Sequence, residues 1–306
     1  MIDLTQPVMP AEPRMPMPFW RRLFTFCALS ACCFLCASVL IAILSRINSA
    51  TGGLRLVVVT QDVVMFIAPA VATAAMIVGP KNIFKWLGSS NLPSVRRFLL
   101  ALVAYFASIP LMELIVDWNA NIQLPVWLAS VENVLRSVED AANDSVAKIT
   151  GAHTVGNLIV SILIIGVITG VAEETFFRGG LQRVLYRKGR MQAAVWIAAL
   201  VFSLLHFQFY GFVPRLLLGA FFGYAFLWTG SLWTGITLHA LNNILTLSLW
   251  WRETSPHPAS QPGDISPETP TIVVCSVFLT VFALYLMWKY RVDAPGDSVF
   301  DKAENE

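Results

Sequence analysis

The stretch VGNLIVSILIIGVITGVAEETFFRGG, Val155–Gly180, decides the fold of this chain. Residues 155–172 are almost pure hydrocarbon, and Glu173, Glu174 and Arg178 then follow with no loop signal before them. An apolar run of that length reads as a membrane-spanning helix, because irregular backbone cannot face lipid. Each of the three charges costs about 2.5–3.5 kcal/mol at the bilayer centre. Their presence at the far end of an apolar helix therefore calls for a reason.

The rest of the chain has the same character. Of its 306 residues, 56% are hydrophobic and only 13% are charged, with a mean hydropathy of +0.65. Soluble domains carry about 25% charge, so this is an integral, multi-pass membrane protein, expected in a cell inner or plasma membrane. Membrane lipids are the implied surroundings. No basic face suggests nucleic acid. Cys27, Cys32, Cys33, Cys36 and Cys275 all lie in apolar runs and behave as small apolar residues rather than a disulfide framework. The run from residue 23 continues uncharged to Leu44, so it reads as a span and not as a cleaved lipoprotein signal.

Eight apolar segments are predicted to cross: about 23–44, 56–79, 98–116, 155–175, 191–208, 214–230, 234–251 and 271–289. The fold class is thus all-α, a polytopic membrane helical bundle of about eight transmembrane helices. Pro69 and Pro110 are expected to kink the second and third. Gly219 and Gly223 have the spacing that lets one helix approach another closely. With the N-terminus placed in the cytoplasm, 15 of the 21 Lys and Arg residues fall on the cytoplasmic side, which puts both termini there. Residues 1–18 and 291–306 read as cytoplasmic tails, the first disordered, flanking a single membrane domain over 19–290. Near 126–140, Leu128, Val131, Val134, Leu135 and Val138 have helical spacing with a polar opposite face. That segment either lies on the outer leaflet or packs over the bundle. His257 falls in a Pro- and Ser-rich outer loop. Asp62 and Glu113 sit near the outer ends of their spans and are expected at the interface.

On a helix, residues four apart share a face, so Glu174 and Arg178 should pair. Glu173 is rotated about 100° from Glu174 and must find its partner across the bundle. Two other spans carry polar groups at the same spacing, Phe202 with His206 and His239 with Asn243. Depth allows Glu173 and His206 to meet, at ~21 Å and ~22 Å from the ends of their helices. His239 fits less easily, being near the turn at 230–235. Taken singly, each group also reads as interhelical glue or as an interfacial charge. Together, three spans supply a carboxylate, two imidazoles and an amide.

The ordered motifs EETFFR (Glu173 to Arg178), FSLLH (Phe202 to His206) and HALNN (His239 to Asn243) resemble the CPBP family of intramembrane proteases. That family includes the type II CAAX prenyl-protein endopeptidases and the bacteriocin-processing or self-immunity proteins. The resemblance covers about 155–251, the expected catalytic core. It implies an endopeptidase acting on a membrane-anchored or lipidated peptide or protein. Glu173 would act as base on water, His206 would hold that water, and His239 and Asn243 would stabilise the oxyanion. Glu174, Arg178 and Phe202 would support the site, and a water-filled opening is expected on the cytoplasmic side. No cofactor is expected; the alternative is zinc on Glu173, His206 and His239. Two other classes use similar residues, a non-enzymatic scaffold or bacteriocin-immunity protein of the same fold and a proton-coupled transporter. The transporter reading lacks an inverted repeat.

Overall fold

A computed structural model describes residues 17–47, 51–187, 189–254 and 270–292. His257 and nearly all of the expected tails lie outside these residues. Among the described residues the chain is helical throughout, without strands. Its main helices are α1 (Phe19–Ile47), α2 (Thr51–Val78), α3 (Val95–Ala120), α4 (Ala129–Thr150), α5 (Val155–Gln182), α6 (Met191–Leu204), α7 (Phe212–Thr229), α8 (Leu232–Glu253) and α9 (Pro270–Lys289). Six are long and apolar enough to cross a membrane: α1, α2, α3, α5, α7 with the turn before it, and α9. The other two expected spans are also helices. α8 has 22 residues but carries His239, Asn242 and Asn243. α6 has only 14 residues, ~21 Å, against a hydrocarbon core of about 30 Å.

Two proline positions are handled differently. In α2, the turn Asp62–Ile67 widens to a π-helix directly before Ala68–Pro69, and the Ala68 N–H bonds back to Val63. The wide turn takes up the clash that a proline ring makes with the preceding turn. In α3, Pro110 lies mid-helix. There the Ser276 hydroxyl of α9 donates to the Ala107 carbonyl at 2.6 Å and accepts from the Leu111 N–H at 3.2 Å. A side chain of the neighbouring helix thus occupies the opened backbone position.

The helix ends are tied into two opposite faces. On one, Arg22 donates to the Tyr186 carbonyl at 3.3 Å, and Leu232 N–H to Gly88 at 2.9 Å. Arg97 donates to Tyr290 at 2.9 Å on the same face. On the other face, Arg55 donates to the carbonyls of Ile149 and Thr150 at 3.0 and 2.9 Å. The Asn119 amide there bridges Phe209 and Val213, and His153 stacks on Trp251 at 4.1 Å. α4 lies on this second face. It extends the amphipathic helix expected near 126–140 to Thr150. A Glu132–Arg136 pair at 2.7 Å helps hold its start. The Arg136 guanidinium, with the Leu124 N–H, keeps the Glu132 carboxyl below the usual carboxylate range. That contact is present at neutral pH and is lost as pH falls through the lowered value.

α6 packs on α7 through the small residues that the sequence singled out. A Cβ at Gly219 would meet the Ala199 Cα at 3.2 Å, and one at Gly223 would lie 2.8 Å from Val195 Cγ1 and 2.9 Å from Gln182 Oε1. Gly223→Val should therefore destabilise the protein by about 1–3 kcal/mol through overpacking. Thermal unfolding of the detergent-solubilised variant checks this; an unchanged midpoint would contradict the close contact.

Candidate active site

Glu173 and Glu174 sit at the end of a regular turn of α5, Thr169–Glu174, between two π-helical stretches, Ile162–Ile168 and Thr175–Gln182. Such wide turns inside helices are frequent at functional sites. Glu174 and Arg178, both fully buried, pair at 2.7 Å, as their four-residue spacing predicts. Arg178 also donates to the Gly219 carbonyl at 2.8 Å. Its guanidinium lies 4.9 Å from the Phe202 ring centre and 5.6 Å from that of Phe222, a cation–π arrangement in a dry site. Arg178 is one of the 15 residues assigned to the cytoplasmic side, yet it lies inside the bundle, where Glu174 and Gly219 bind its two terminal nitrogens.

His239 of α8 reaches this pair despite its nearness to the turn before α8. Its Nδ1 lies 2.8 Å from Glu174 Oε1, and its Nε2 lies 3.5 Å from Glu173 Oε2. Gly235, one turn earlier, makes the approach feasible: a Cβ there would sit 2.7 Å from Glu174 Oε2. Phe222 stacks on the imidazole at 5.1 Å, and Phe202 meets it edge-on at 5.7 Å. The ring is thus held by two aromatic neighbours and at one nitrogen. Because a carboxylate only accepts, Nδ1 carries a proton and Nε2 is the nitrogen that faces Glu173.

His206 lies beyond the end of α6, in a turn where Phe207 takes a left-handed conformation with φ of 55°. Its Nδ1 donates to the Phe202 carbonyl at 2.8 Å, so the neutral ring presents Nε2 as an acceptor. Asn243 donates one N–H to the Ile165 carbonyl at 3.1 Å. Glu173, His206, His239 and Asn243 all line one cavity of about 410 Å³. A second, of about 550 Å³, shares His206, His239 and Asn243 with it and adds Phe202 and Glu139.

Several lining residues were not singled out in the sequence as site groups. Arg215 of α7 lines both cavities and donates to Gln208 Oε1 at 3.0 Å, while Gln208 donates to Glu139 of α4 at 3.0 Å. Asp62 is a correction: it is 1% exposed rather than interfacial. It accepts from the Thr169 hydroxyl at 2.8 Å, and Thr169 lines the cavity one turn before Glu173. The reason is the helix start. α2 begins at Thr51, not near 56, which carries Asp62 well below the end of the span.

The cavity is also lined by Asn143 and Val146 of α4 and by Trp250 near the end of α8. All belong to the face that carries α4, opposite the arginine- and lysine-rich face. Among the described residues, no three His, Cys, Asp or Glu side chains gather as a metal-binding set. Glu173, His206 and His239 share the cavity without forming such a set.

These features define an integral, multi-pass helical membrane protein with a polar, enzyme-like cavity inside the bundle. Residues 155–245 match the family model described as type II CAAX prenyl endopeptidase Rce1-like. That segment contains all three motifs and most of the cavity lining, and its similarity is to a CAAX-type intramembrane protease. No curated protein and no solved structure matches the chain.

The Glu174–Arg178 pair gives a stability prediction. Arg178→Met leaves Glu174 buried without its guanidinium and should cost about 3–5 kcal/mol. The double variant with Glu174→Gln should cost clearly less than the sum of the single ones. A double-mutant cycle on detergent unfolding checks the coupling; additive losses would contradict it.

Proposed function

We propose that the protein is an intramembrane endopeptidase that hydrolyses a peptide bond of a membrane-anchored or lipidated peptide or protein. The observation that carries this reading is the cavity on which Glu173 and His206 converge, with His239 held against Glu173 by Glu174 and Arg178. The match over residues 155–245 supports it. An apolar cavity of about 390 Å³ adjoins the polar one through Asn242, Thr246 and Trp250, which suits a substrate held partly in lipid.

In this reading a water donates one hydrogen to Glu173 and the other to His206 Nε2, which leaves its lone pair free to attack the scissile carbonyl. Glu173 takes the proton as the C–O bond forms. His239 stabilises the resulting oxyanion through Nε2–H. Asn243 uses one amide N–H on Ile165, and its second N–H is left for the oxyanion. The proton on Glu173 then passes to the leaving nitrogen as the C–N bond breaks. The products are an amine and a carboxylic acid, whose remaining proton, from the attacking water, leaves towards His206 Nε2. Phe202 holds both histidines and Arg178 in place. The membrane is a cell inner or plasma membrane, with both termini in the cytoplasm around a single membrane domain.

Glu173→Gln keeps the shape of the side chain but removes the base. Cleavage of membrane-anchored peptides by the purified protein should fall by about 10²–10⁴-fold, with an unchanged unfolding midpoint. Activity of the wild type should persist in a strong chelator. Retained cleavage in the Gln variant would contradict the base. Loss with chelator and recovery with zinc would instead assign Glu173, His206 and His239 to a metal. A scaffold or immunity protein would keep its in-cell phenotype in the same variant.

A further inference from the structure

The direction from which the cavity is reached follows from three independent features. The first is the shortness of α6. Its start at Met191 is level with the face where Arg22 reaches Tyr186. At ~21 Å it therefore stops well inside a 30 Å core on the opposite face. The turn from Leu205 to Gly211, which carries His206, is recessed by that shortfall. The second feature is the lining. From Glu173 the cavity follows α5 backwards through Thr169 and Ile165, and then reaches Asn143 of α4 and Trp250. Its neighbour adds Glu139 and Tyr210 at the same end. Asn143 and Thr246 are exposed. The Glu139–Gln208–Arg215 chain of hydrogen bonds joins α4 to the recessed turn beside this mouth.

The third feature is charge. The closed face carries Arg21 and Arg22 at the start of α1, Lys81 and Lys85 after α2, and Arg96 and Arg97 at the start of α3. It also carries Arg183, Arg187 and Arg190 between α5 and α6, and Lys289 and Arg291 at the end of α9. No described Asp or Glu lies there. The open face has fewer cations, Arg46, Arg55, Arg136, Lys148, Arg215 and Arg252, together with Glu132, Glu139, Asp140, Asp144 and Glu253. Lys and Arg near span ends are retained in the cytoplasm.

We infer that the catalytic cavity opens to the non-cytoplasmic side of the membrane, across the recessed α6–α7 turn and beneath α4. Its substrates are then membrane-anchored segments whose scissile bond lies in the outer half of the bilayer, not tails presented from the cytoplasm. The substrate class rests on the protease reading above; the direction of opening does not.

Thiol labelling tests the opening without requiring cleavage. In a variant with the five cysteines, which lie in α1 and α9, replaced by Ser, single cysteines are introduced as Asn143→Cys at the mouth and Thr246→Cys inside. Ser90→Cys, on the closed face, is the control. A membrane-impermeant maleimide is added to sealed vesicles of each orientation. Asn143→Cys and Thr246→Cys should be labelled in right-side-out vesicles and protected in inside-out ones, and Ser90→Cys should show the reverse. Labelling of Thr246→Cys from the cytoplasmic side, or from neither side, would overturn the proposal. So would a Ser90→Cys variant that reacts in right-side-out vesicles.

Discussion

One oxygen organises the centre of this molecule. Glu174 Oε1 accepts from Arg178 at 2.7 Å and from His239 Nδ1 at 2.8 Å, and so ties α5 to α8 where both are dry. A lone carboxylate or guanidinium in that position would be very costly. Together, and with the Gly219 carbonyl on the second guanidinium nitrogen, they compensate one another. Everything around the pair serves this compensation. Gly235 and Gly219 let the backbones of α8 and α7 close in, and Phe202 and Phe222 exclude water while offering their ring faces to the guanidinium. Glu173, one residue away, is left to face the cavity.

Much of this was legible in the sequence because its grammar is simple. Long apolar runs must be helices in lipid, and four-residue spacing puts two side chains on one face. The Glu174–Arg178 pair follows from those two rules and the meeting of Glu173 with His206 from their similar depth, whereas His239 reads as too near the turn at 230–235. What the sequence hid has physical causes. The start of α2 lies in a weakly apolar stretch, TGGLRL at 51–56, so the span reads as starting near 56 and Asp62 as interfacial. Arg55, just before that expected start, is a clamp on the junction of α4 and α5. π-helical turns have no composition signal, although three of them shape α2 and α5. Arg215 and Glu139 carry no site signal in the sequence, because nothing in one dimension places the α6–α7 turn under α4.

The short α6 links fold to chemistry. A helix too short to span would normally leave a polar turn in hydrocarbon. Here the turn is covered by α4, anchored by Asn119 to Phe209 and Val213, and open to the cavity. The cavity thus reaches the level of Glu173 from one side, while Phe177, Leu181 and Val184 are buried on the other. The proposed hydrolysis inside a membrane needs that asymmetry: a one-sided approach for water and a dry support behind the base.

The central claim is that Glu173 activates water and does not itself attack the carbonyl. A single turnover with excess enzyme in ¹⁸O-labelled water separates the two. The account predicts ¹⁸O in the newly formed carboxylate of the product in that first turnover. Unlabelled product, with ¹⁸O found afterwards in the Glu173 carboxyl, would show a covalent acyl intermediate and contradict it.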